Sequence, residues 1–68
     1  MSTFEQIDKE AAALDVMTPL GRAVNDLVAH ADDNATDEAG KIASLETLLA
    51  YRDDKALHAW FAAHGVEA

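Results

Sequence analysis

Sixty-eight residues set a ceiling of one domain, and thirteen acidic against five basic residues give a net charge of −8. A chain this acidic is unsuited to direct binding of nucleic acid or anionic lipid, because both reward clustered Lys and Arg, and Lys9, Arg22, Lys41, Arg52 and Lys55 are scattered. The absence of cysteine excludes disulfides and thiolate zinc sites, and no apolar run approaches the roughly 20 residues that span a bilayer.

The stretch "STFEQ" predicts a helix start, with Ser2 and Glu5 as a capping box in which each side chain accepts from the other residue's backbone amide. Phe4, Ile7, Ala11 and Leu14 then recur at three- and four-residue spacing and share one face. This polar, acidic start does not resemble a leader peptide, so a cytoplasmic protein is expected. At "MTPLG", Thr18 is placed to cap a second helix and Pro19 suits its first position, where an amide would lack a partner anyway. The stripe Leu20, Val24, Leu27 and Ala31 is rotated by roughly 140° from the first, which calls for a corner near Thr18.

"ADDNATDEAG" reads as a turn, with Thr36 or Asn34 capping a third helix and Asp37 and Glu38 in its first turn. Ile42, Leu45, Leu48 and Leu49 form its apolar stripe. Around "RDDK" the phase slips by about 120°, so Asp53 or Asp54 is expected to cap a short fourth helix, unless the third simply bends. That helix should end at His64, with Gly65 in a left-handed conformation and Val66 folding back on Phe61. The fold class is therefore all-α: one domain over residues 1–68, a small bundle of three to four short helices. The larger core candidates include Met17, Leu20, Trp60 and Phe61. So short a chain buries only roughly 60% of its unfolded surface, and completion of the core by homodimerisation is expected.

Sites of chemistry are sparse. A calcium loop starting at Asp32 has Asp37 where glycine is needed and Ala43 where the bidentate glutamate belongs. His58 and His64 stand six apart and cannot share a helical face, while His30 has only Asp26 and Asp33 nearby, an ordinary surface pattern. The only serines, Ser2 and Ser44, have ordinary helix roles, and no phosphate loop is present. No catalytic residue, metal or cofactor is expected.

Two surfaces are left. Gly40, Ser44, Thr47 and Tyr51 line a second face of the third helix, small enough for another helix to approach. Leu57, Trp60, Phe61 and His64 share a face of the fourth, where Trp is a favoured interface anchor and His64 sits at the end whose dipole favours a cation. Tyr51, Trp60, Phe61, His64, Gly40, Ser44 and Thr47 are accordingly the expected partner-binding residues. Very short, acidic, helical chains without chemistry are typical of phage-type inhibitors, antitoxins and adaptor subunits, an analogy that assigns no residue. The expected function is a non-enzymatic regulator or inhibitor that covers a partner protein, one with a basic surface given the charge. The alternatives are a nucleic-acid mimic in a basic groove or a structural assembly subunit.

Overall fold

A computed structural model describes residues 3–68 as four helices: α1 (Phe4–Ala12), α2 (Pro19–Asn34), α3 (Glu38–Ala50) and α4 (Lys55–Ala63). The all-α expectation holds, with no strand among the described residues. α2 is the longest helix and packs against the other three, most extensively against α3.

Ser2, half of the expected capping box, lies outside the described residues. The cap observed is Thr3, whose Oγ1 accepts from the Gln6 amide at 3.1 Å. Phe4, Ile7 and Ala11 are buried on one face, as their spacing requires. Leu14 follows the helix end and is half-buried, its amide donating to the Ala11 carbonyl at 3.1 Å.

The corner comes where the change of phase placed it. Thr18 caps α2 by accepting from the Gly21 amide at 3.0 Å while its own hydroxyl donates to the Asp15 carbonyl at 2.6 Å. Pro19 takes the first turn. The corner folds so tightly that a Cβ on Gly21 would lie 2.1 Å from the Asp15 carbonyl oxygen. Asn25 ties the two helices together: its Nδ2 donates to the carbonyls of Ala11 and Gly21, each at 2.8 Å. The Ala11 carbonyl, in the last turn of α1, thus accepts from Asn25 as well as from the Leu14 amide.

Neither Thr36 nor Asn34 caps α3. Asn34 is still inside α2, and Asp37 is the residue before the new helix, its Oδ1 accepting from the Gly40 amide at 2.7 Å. The third and fourth helices are separate. Asp54, not Asp53, caps α4 by accepting from the amides of Ala56 and Leu57 at 2.9 and 3.4 Å. α4 stops at Ala63, one residue before the expected end, with His64 as its C-cap. Gly65 adopts φ 84°, and the amides of Gly65 and Val66 donate to the carbonyls of Ala62 and Phe61. Those two bonds complete the expected Schellman motif.

The core is purely apolar. Ile7, Ala11, Val24, Leu27, Val28, Ala31, Leu45, Leu49, Leu57, Phe61 and Val66 are buried together with Phe4, and among the described residues no polar side chain joins them. Leu20, Ile42, Leu48 and Trp60 pack half-buried at its edge. Met17 does not belong to it. Lying in the corner, outside both helices, it has no inward face, and it is 77% exposed.

Candidate partner-binding surface

The expected surface at α4 is largely turned inward. Phe61 is fully buried and has no area to offer a partner. Trp60 meets it edge-on, ring centroids 5.1 Å apart, and stacks on the His64 imidazole at 4.0 Å. The His64 side chain is only 15% exposed, with Nε2 2.9 Å from Glu10 Oε2 and Nδ1 2.7 Å from the Trp60 carbonyl. Through His64 and Glu10, Trp60 is thus linked to α1, while the indole itself stays half-buried.

The face of α3 divides in two. Gly40 sits against the α2–α3 corner, where a Cβ would come within 2.7 Å of Asp37 Oδ1 and 3.0 Å of the Ala35 Cβ. Ser44 accepts a long 3.4 Å hydrogen bond from Asn34, so both small residues serve the turn. Thr47 is exposed and donates to the Ala43 carbonyl. Tyr51 stands free. As the C-cap of α3 it is 83% exposed, the most exposed of the large apolar side chains.

Another surface draws on residues that no single stripe of the sequence contains. The short turn at residues 35–37 folds α3 back along α2 and brings Arg52 beside Asp26, Nη1 to Oδ2 at 4.0 Å. Between the start of α2 and the end of α3 lies an open hollow of about 410 Å³, lined by Met17, Pro19, Arg22, Ala23, Asp26 and Arg52. Its apolar part is Met17, Pro19 and Ala23, with Val16, 54% exposed, next to it in the chain. The only two arginines of the molecule both line it. Arg22 is exposed and makes no ion pair among the described residues, whereas Asp26 faces both Arg52 and His30.

Periodicity could not find this hollow. Met17 lies between two stripes, and Arg22 and Arg52 are thirty positions apart, so only the antiparallel return of α3 unites them. The usable signal was negative: Met17 and Tyr51 fit no buried face.

Elsewhere the chemistry is thin. No group of three metal-ligating side chains converges among the described residues, and His30 is a solvated side chain beside Asp26. Among the described residues no helix is long and apolar enough to cross a membrane. No family model, curated protein or solved structure matches this chain.

Proposed function

We propose that this protein is a non-enzymatic binding module, a regulator or inhibitor that covers part of a partner protein with the end of the bundle around Met17 and Tyr51. The observation that carries this reading is the exposure of Met17, 77%, at the edge of a hollow it lines, with Val16 exposed next to it and Tyr51, 83% exposed, next in the chain to Arg52, which also lines the hollow. Met and Tyr suit contact surfaces: the thioether adapts its shape, and the phenol pairs an apolar body with a polar tip. Isolated exposed apolar residues are ordinary; an exposed Met17 lining a concave site, with exposed Val16 next to it in the chain, favours a contact.

The case for a homodimer was a core too small to close alone. Twelve apolar side chains of one chain form the buried cluster, which supports a single chain as the form that meets its partner.

Photo-crosslinking tests the assignment. A benzophenone amino acid at position 17 or 51, and as a control at exposed Ala43 in α3, about two turns before Tyr51, is introduced into the protein in its native cells. A discrete adduct with one other protein from positions 17 and 51, absent from 43, is the expected result. Adducts of equal pattern from all three positions, or none, would overturn it.

A further inference from the structure

We propose that the hollow between α2 and α3 takes a carboxylate-bearing segment of the partner, in which one acidic side chain or a chain terminus is flanked by an apolar residue. The inference rests on the binding role argued above and names the chemistry of the occupant.

Charge placement leads to it. On a molecule of net charge −8, both arginines line one small concavity, and the three lysines do not. Lys9 pairs with Glu5 along α1, and Lys41 pairs with Asp32 while lying over the Phe4 ring. Arginine is the cation whose planar fork matches a carboxylate with two parallel hydrogen bonds. Arg22, without an ion-pair partner among the described residues, is the open member of the pair. Arg52 is steered by Asp26, whose second oxygen lies 3.5 Å from His30. An apolar wall of Met17, Pro19 and Ala23 beside two guanidiniums fits a segment that alternates an acid with an aliphatic or aromatic side chain.

The same charge excludes a polyanion. Beyond about 8 Å screening removes the pull of the two arginines, and a nucleic-acid strand would run on over acidic surface. A single carboxylate meets only the local field. The volume, about 410 Å³, suits one or two side chains and not a helix.

The test uses the full chain, labelled so that the Arg Nε–Hε pairs and the Met17 methyl are resolved by NMR. The probe is acetyl-Leu-Asp-Leu-amide, with acetyl-Leu-Asn-Leu-amide and inorganic phosphate as separate arms. We expect the aspartyl peptide to shift Arg22, Arg52 and Met17 together, the asparaginyl peptide to do so at least roughly tenfold more weakly, and Arg22→Gln to weaken binding by about the same factor. Arg22 is exposed and unpaired among the described residues, so this variant should keep the unperturbed spectrum elsewhere. Asp26→Asn, which removes an opposing carboxylate, should tighten binding. Equal response to both peptides, response to phosphate alone, or weaker binding by Asp26→Asn overturns the proposal. So does movement of the same three signals on diluting the protein without peptide, because the occupant would then be a second copy. If the peptides fail while crosslinks form from positions 17 and 51, the binding role stands and only the carboxylate chemistry falls.

Discussion

At the scale of single residues, the α1–α2 corner depends on two residues outside the apolar core, Gly21 and Asn25. Gly21 lies in the first turn of a helix, where replacing glycine by alanine ordinarily helps by about 1 kcal/mol through chain entropy. Here the added methyl would meet a backbone oxygen at 2.1 Å, and backbone does not rotate aside as a side chain does. Such overpacking costs about 1–3 kcal/mol and outweighs the entropic gain. Gly21→Ala is therefore expected to lower stability by urea denaturation, with an unchanged slope; a more stable variant would contradict the geometry. Asn25 poses a different question, since its amide satisfies carbonyls on two helices. Asn25→Ala removes both bonds and should cost about 1–2 kcal/mol. Asn25→Asp keeps the shape but directs a carboxylate oxygen at acceptors, so it should be the worse of the two at neutral pH. If Asp and Ala melt alike, the amide is not donating as drawn.

At the scale of elements, helix identities and faces were legible because three-to-four periodicity is a property of near neighbours. Thr18 with Pro19, and Gly65 with Val66, were readable for the same reason: each motif lies within six residues and its bonds close locally. Cap choice was less legible where several candidates crowd together. In "NATD" the side chains of Asn34, Thr36 and Asp37 can all accept, and the length of α2 decides among them by absorbing Asn34. Asn25 was missed because a polar residue between two apolar positions reads as solvent-facing until the corner brings α1 alongside. The end of α4 offers a test of how much a local motif governs an element. Gly65 has φ 84°, where an L side chain costs about 1–2 kcal/mol, and its turn returns Val66 to the core. Gly65→Ala should lower Tm by about 4–8 °C per kcal/mol in a domain this small. Loss of order should appear first in the Trp60 fluorescence, because the clasp of Trp60, His64 and Glu10 joins that helix to α1. A Tm drop with α4 still protected would assign the cost to backbone strain alone.

At the scale of the molecule, the bundle was legible and its surface was not. Burial follows from each helix's own pattern, whereas the hollow needs Arg22 and Arg52 to meet across two antiparallel helices, a relation no local pattern encodes. Aromatic content also misdirects when read alone. Trp60 and Phe61 resemble an interface pair, yet Phe61 is fully buried and Trp60 packs half-buried at the core's edge, while Met17 and Tyr51 are exposed. The same logic bears on self-association. A radius of gyration of 10.6 Å is close to the about 11 Å expected for a compact domain of this length, and one chain buries a cluster of twelve apolar side chains. Two copies would each bring a charge of −8, which opposes their approach at low ionic strength. Coupling of folding to dimerisation would make Tm rise with protein concentration, since mass action favours the bound form. We expect instead one Tm across a roughly hundredfold range of concentration at low salt. Sedimentation should give a single species of 7.3 kDa, unchanged by Tyr51→Ala. A concentration-dependent Tm that Tyr51→Ala abolishes would make the Met17–Tyr51 end a self-contact and return the homodimer to the account.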